Sequence, residues 1–330
     1  MSTSFHVSQS KVKQYRNCRQ QFYYAHIKKI QRKKKPRPIV FGSTIHKMKE
    51  TLAAGKDPFK VIDAIPLNQI EMFDAEREHY GNVVEDITYL FDGYLEYWKK
   101  DPLVYLKRNG RTAEHPFQIE LDGEDILVKG TIDAVTEHRD YEWLTEHKNH
   151  RNIPNADERW RNVESSVYVR VLQMLGWWDP EGTCWDYIRT KAPTRPRLLK
   201  DGSISEREVD TLPNVVLDVL RAHKKSPSNY KKLVDAARAN ASNYFQRVYT
   251  PLKNHVLDTV WRDFIRTARE MRDTNFNKPQ VRTIGRHCSY CQFEPLCRAA
   301  LTGTDEEAVM ELEYEPSTYG EDNVDHADMG

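Results

Sequence analysis

Residues 126–148 read ILVKGTIDAVTEHRDYEWLTEHK, and the way this run folds decides the class of the whole chain. Ile126, Val128, Ile132 and Ala134 fall on one face of an extended chain, with Leu127, Lys129, Thr131 and Asp133 on the other. Gly130 lies between them, where a missing side chain admits a close neighbour. The run predicts a strand over 126–137 and a second over 141–148. Just upstream, Phe117, Ile119 and Leu121 alternate with polar neighbours, and Asp122-Gly123 supplies a hairpin turn.

Away from this core the period lengthens to that of helices. Ser8 or Ser10 can cap a first helix reaching about Ile27 with Cys18 inside it, and Phe41, Ile45, Met48 and Leu52 mark a second. Residues 50–110 read as a helical lobe with aromatic faces. Beyond the strands, 157–178 is helical, 184–190 extended, and 214–224, 228–243 and 253–274 helical, with a short extended piece at 245–250. Strands interleaved with helices predict an α/β fold, a mixed central sheet flanked by helices.

The chemistry sits on the two central strands. Glu146 and Lys148 are two apart, so they share a face about 7 Å from each other. If the strands pair as a hairpin, Asp133 and Glu146 converge. Two carboxylates beside an ammonium suit a hard divalent cation such as Mg2+ or Mn2+, which acidifies water, with the lysine to position it: the equipment of phosphodiester hydrolysis. The same residues also fit a cross-strand salt bridge on a solvated face.

Cysteines carry a second signal. Cys288, Cys291 and Cys297 form C-x2-C-x5-C near the end of the chain, while Cys18 stands alone near its start. Zinc ribbons draw their ligands from two close pairs, whereas four thiolates in this layout suit a 4Fe-4S cluster. Such a cluster would close a loop of 270 residues, stabilising the fold by about 5 kcal/mol on the chain-entropy estimate for cross-links. Cys184, on an apolar strand, reads as a core thiol.

The net charge of +1 hides an asymmetry: ten acidic and no basic residues lie in 302–330, which leaves 50 basic against 39 acidic residues elsewhere. A basic body with an acidic end predicts a polyanion-binding surface and a disordered tail over 301–330, which either solubilises or competes with the polyanion. The sharpest basic run is Lys28, Lys29, Arg32, Lys33, Lys34, Lys35 and Arg37. The best apolar run, 167–178, is interrupted by Arg170 and Gln173, and residues 1–11 hold no secretion signal. No membrane association and a cytoplasmic location with reduced thiols are therefore expected.

Gly42-x-x-x-His46, Gly130-x-x-Asp133, Glu146-x-Lys148 and the cysteine layout occur in an order that resembles the RecB-like iron-sulfur branch of the PD-(D/E)XK nuclease superfamily. That branch includes CRISPR-associated adaptation exonucleases, the AddB nuclease domain and phage recombination exonucleases. The resemblance runs from Ser8 to Ala300. It implies a nuclease domain over 1–300, with a 4Fe-4S cap built from 8–27 and 285–300 that joins the two ends of the chain. The cluster would sit on Cys18, Cys288, Cys291 and Cys297.

By the same resemblance His46, Asp133, Glu146 and the backbone carbonyl of His147 hold a divalent metal, Lys148 is catalytic, and the His147 imidazole has no assigned task. Tyr168 matches a Gln-x-x-x-Tyr motif, but Glu164 occupies the glutamine position; an ionised glutamate cannot donate a hydrogen bond and could instead touch the metal. Glu114, ahead of the first strand, reads from its position as an outer-shell acid or as a surface charge. The implied activity is metal-dependent exonucleolytic cleavage of single-stranded DNA or DNA ends in recombination, repair or CRISPR spacer acquisition. No helicase motif is present, so an unwinding or recombination partner would be a separate chain. Two readings from other classes stand beside it: a catalytically silent iron-sulfur DNA-binding subunit of a nuclease-helicase complex, and a zinc-binding structural protein.

Overall fold

A computed structural model of the chain describes residues 4–34, 37–64, 83–121, 123–207, 210–278 and 280–317. In chain order its strands are β1 (Phe5–Val7), β2 (Ile30–Arg32), β3 (Val104–Tyr105), β4 (His115–Glu120), β5 (Ile126–Ile132), β6 (Ala134–His138), β7 (Tyr141–His150), β8 (Gly182–Arg189), β9 (Phe245–Pro251) and β10 (Tyr314–Pro316). The helices are α1 (Gln9–Asn17), α2 (Arg19–Phe22), α3 (Arg37–Ala53), α4 (Val83–Tyr97), α5 (Ala156–Trp160), α6 (Glu164–Leu175), α7 (Pro213–Ala222), α8 (Lys231–Asn240), α9 (Asn254–Asp273), α10 (Glu294–Thr302) and α11 (Glu306–Glu313). Among the described residues no helix is long and apolar enough to cross a membrane.

The chain divides into two compact units: Arg37–His115 with Ile132–Asn254, and Met1–Pro36 with Pro116–Thr131 and His255–Gly330. The first is built on a mixed five-stranded sheet in the order β3-β6-β7-β8-β9. β6 and β7 pair antiparallel through a two-residue turn in which Arg139 and Asp140 take φ of 53° and 64°, the left-handed pair that a tight hairpin demands. β7 and β8 are parallel, so the chain must cross over between them, and it does so through α5 and α6. Phe41, Ile45 and Met48 of α3 pack with Ile87, Leu90, Phe91 and Tyr94 of α4 against Ile188 and Phe245 of the sheet. The helical stretch before the sheet thus shares the sheet's core; the part of it over 65–82 lies outside the described residues.

The second unit holds a three-stranded sheet ordered β1-β5-β4 and a two-stranded one of β2 and β10. Of the predicted Asp122-Gly123 turn, Asp122 lies outside the described residues. Gly123 has φ +73°, and Leu121 N–H donates to Ile126 O at 3.1 Å across the turn. The side chain of Ser8 caps α1 by accepting from Lys11 N–H at 3.3 Å.

Three expectations are corrected. The single strand over 126–137 is two, because the chain leaves one sheet for another at Asp133, whose carbonyl accepts from Glu114 N–H at 2.9 Å instead of from a ladder partner. The single helix to Ile27 breaks at Cys18, which is extended (φ −164°, ψ 115°). There the neighbouring segment supplies competing bonds: Gln20 N–H donates to Val281 O at 3.2 Å and Thr283 N–H to the Cys18 sulfur at 3.4 Å. Finally, the acidic end is not structureless from 301. Asp305 caps α11, and β10 pairs antiparallel with β2, because Tyr314 supplies a buried apolar anchor and Arg32 an ion pair to Glu313. Residues 318–330 lie outside the described residues.

Candidate functional site

His46 projects from α3, on the turn after Phe41 and beside the buried Ile45 and Met48. Its Nε2 lies 2.6 Å from Glu114 Oε1 and 3.8 Å from Asp133 Oδ1. The ligand atoms of His46, Glu114 and Asp133 all fall within 4.8 Å of one another, a spacing that can hold a metal ion. Glu114 reaches this position with φ +53°, a left-handed backbone that costs energy for any residue with a Cβ and here is held by its N–H bond to Asp133. Asp133 is fixed in turn, because its Oδ2 accepts from His147 N–H at 2.9 Å. Burial alone would depress the His46 imidazole, but the bond to Glu114 and the Asp133 charge hold its pKa above the ordinary value.

Glu146 and Lys148 point to one face of β7 as the period-two spacing requires, with Lys148 Nζ 2.8 Å from Glu146 Oε2 and 3.7 Å from Glu164 Oε2. Glu146 is only 2% exposed, and its Oε1 is buried with no hydrogen-bond partner among the described residues. Burial pushes the Glu146 carboxyl up to about 7; the Asp133 and Glu164 charges add to the rise and Lys148 opposes it. Burial works against the Lys148 ammonium, yet the carboxylates of Glu146, Glu164 and Asp133 outweigh it and raise its pKa. Glu114, Asp133, Glu146 and Glu164 stand against one ammonium and one imidazole, an excess of two negative charges once Glu146 is ionised, which a bound cation would favour. That excess, with the unpartnered Glu146 oxygen, fits a divalent cation of oxygen-preferring type.

Glu164 begins α6 and Tyr168 comes one turn later on the same side of the helix. Burial and then the charges of Glu146, Glu164 and Asp133 raise the Tyr168 pKa, so its hydroxyl keeps its proton. Glu164 is engaged by Lys148. At Gly42 no atom of the described residues outside its own helix and chain neighbours lies within 4 Å of where a Cβ would stand.

The His147 imidazole, which the resemblance leaves without a task, is held in a network that the sequence motifs do not mark. Its Nδ1 lies 3.0 Å from Asp186 Oδ2, which also accepts from Lys49 Nζ at 2.7 Å and Tyr94 Oη at 2.9 Å, while Arg247 Nε is 3.4 Å from Oδ1. Lys49 and Asp186 are fully buried. Burial depresses the Lys49 ammonium; it would raise Asp186, but Lys49, His147 and Arg247 hold that carboxyl well below its usual range. The network ties α3, which carries His46, and β7, whose His147 N–H holds Asp133, to β8. A lysine among helix positions that face apolar neighbours and an aspartate inside CWDYI were the available signals.

In the other unit Cys18, Cys288, Cys291 and Cys297 line one cavity of about 240 Å³. Cys18 Sγ accepts from Thr283 N–H at 3.4 Å and Cys288 Sγ from Gly285 N–H at 3.5 Å. Among the described residues these sulfurs do not form a set within 4.8 Å of one another as single-ion ligands would. Four thiols around a shared cavity, with N–H donors aimed at sulfur, fit a polynuclear iron-sulfur cluster. Cys184 is fully buried in the sheet of the first unit.

The sequence model of the PD-(D/E)XK nuclease superfamily matches residues 6–298. No curated protein matches the chain. A solved structure described as "Crystal structure of SSO0001" is 14% identical, covering 80% of this chain and 84% of that chain, with a TM-score of 0.29, a likeness too slight to carry an argument.

Proposed function

The chain belongs to the PD-(D/E)XK nuclease superfamily, and on that premise we propose that it is a divalent-metal-dependent exonuclease of the RecB-like iron-sulfur branch that hydrolyses phosphodiester bonds in DNA. Recombination, repair or spacer acquisition is the setting, with any helicase on a separate chain. The observation that carries this reading is the meeting of His46, Glu114 and Asp133 within 4.8 Å, in a unit where Glu146 and Lys148 form an ion pair on the neighbouring strand.

Asp133, His46, Glu114 and the free oxygen of Glu146 would hold Mg2+ or Mn2+, with the His147 carbonyl as a further donor. A cation bound there would acidify water and neutralise charge on the phosphate. The protein's own groups supply the rest. Lys148, kept charged by three carboxylates, presents a fixed ammonium to the phosphate. His147 N–H orients Asp133, while a cation would displace the proton that His46 Nε2 shares with Glu114. Tyr168 retains a proton to donate to a phosphate oxygen, whereas Glu164, standing where the family has a glutamine, serves Lys148. Cys18, Cys288, Cys291 and Cys297 would hold a 4Fe-4S cluster that ties the early and late segments of their unit together.

The test is cleavage of end-labelled single-stranded, duplex and circular DNA by anaerobically purified protein with Mg2+ or Mn2+. Cleavage from ends that spares circles is expected, and a chelator should abolish it. Asp133→Ala, Glu146→Ala and Lys148→Ala should each lower the rate by more than about 100-fold while DNA binding persists. Wild-type rates in Glu146→Ala would sink the assignment. Binding without cleavage by the wild type would place the chain among silent DNA-binding subunits.

A further inference from the structure

Between the end of β7 at His150 and the start of α6 at Glu164 the chain makes an excursion over residues 151–163 that carries Trp160, an indole 80% exposed. Tryptophan is on average among the well-buried residues, so its exposure at this place is informative. The excursion is firmly built. Asn155 Oδ1 accepts from Glu158 N–H at 3.0 Å while Glu158 Oε2 accepts from Asn155 N–H at 2.8 Å, a reciprocal cap on α5, and Arg159 donates to Pro154 O. Both ends of the excursion adjoin the site: Lys148 lies two residues before His150, and Glu164, 3.7 Å from Lys148, opens α6. Glu164 comes four positions after Trp160, which limits their Cα atoms to about 14 Å. Arg161, exposed, comes directly after the indole, although Asp157 and Glu158 on the preceding turn make the excursion no strong cation.

From this placement we infer that Trp160 is a stacking platform for one unpaired nucleobase of a single-stranded substrate, holding the strand beside the Lys148 and Glu164 end of the site. A duplex keeps its base faces stacked inside except at its two terminal pairs, whereas a single strand offers a face at every base, so an exposed indole favours the single strand. Stacking of this kind reads no sequence, because every base has a π-face. Arg161 supplies the backbone contact that such platforms add. The inference deepens the nuclease reading and rests on it for the substrate.

Binding of labelled oligothymidine and of a blunt duplex of equal length, measured in chelator so that no strand is cut, tests it. Trp160→Ala should weaken oligothymidine binding about 5- to 150-fold, the worth of one stacked base, and leave duplex binding and the thermal midpoint unchanged. Trp160→Phe, which keeps a ring, should retain most of the affinity. Unchanged single-strand binding in Trp160→Ala, or an equal loss on strand and duplex, overturns the platform, as does failure of Trp160→Phe to outperform Trp160→Ala. If Trp160→Ala loses single-strand binding but the wild type cuts no DNA, the platform stands and the nuclease reading falls.

Discussion

Asp186 shows how one buried carboxylate can govern a site it does not enter. It accepts from Lys49, Tyr94 and His147 and faces Arg247, so its removal would leave the fully buried Lys49 ammonium without its counter-charge. Breaking a buried pair from one side typically costs about 3–5 kcal/mol. Asp186→Ala should therefore lower unfolding free energy by about that much in urea titration, far more than a surface change. Since Lys49 is one turn from His46 and His147 holds Asp133, weakened divalent-metal affinity in the surviving folded fraction is expected with it. A cost below about 1 kcal/mol would mean that water reaches the network.

At the scale of elements, the acidic end matters through packing as well as charge. Tyr314 of β10 is 4% exposed, stacks on Phe293 with ring centroids 5.9 Å apart, and donates to Gln292 O at 2.7 Å. Phe293 lies two residues from Cys291 and lines the cysteine cavity. Deleting 305–330 should thus lower the thermal midpoint and speed loss of iron, whereas truncation after Ser317 keeps every one of these contacts and serves as the control. The alternative role of the tail, competition with DNA for the basic body, predicts tighter binding on deletion at low salt that fades as ions screen it. Equal stability of the two truncations would assign α11 and β10 no structural part.

For the whole molecule the four cysteines make the decisive prediction. They come from early and late segments of the chain and line one cavity, so a cluster there would cross-link the second unit. Anaerobic protein should be brown, with about four iron and four sulfide per chain. Cys18→Ser should lose iron and stability together, because the closed loop is lost with the ligand. Stoichiometric zinc without iron, by metal analysis of anaerobic protein, would refute the cluster.

Period and spacing were legible before any fold was known. Alternation set Glu146 and Lys148 on one face of a strand, and helical spacing put the buried positions Phe41, Ile45 and Met48 on one side of α3. The cysteine layout marked four thiols that the fold does gather. Local pattern cannot report where a carbonyl finds its partner or which distant side chain answers a charge. The break at Asp133, the left-handed Glu114 drawn in beside His46, the network of Lys49, Asp186 and His147, and the pairing of the acidic end with β2 emerge only in three dimensions. Each depends on contacts between residues far apart in the chain, where burial makes an unpaired polar group too costly to leave alone.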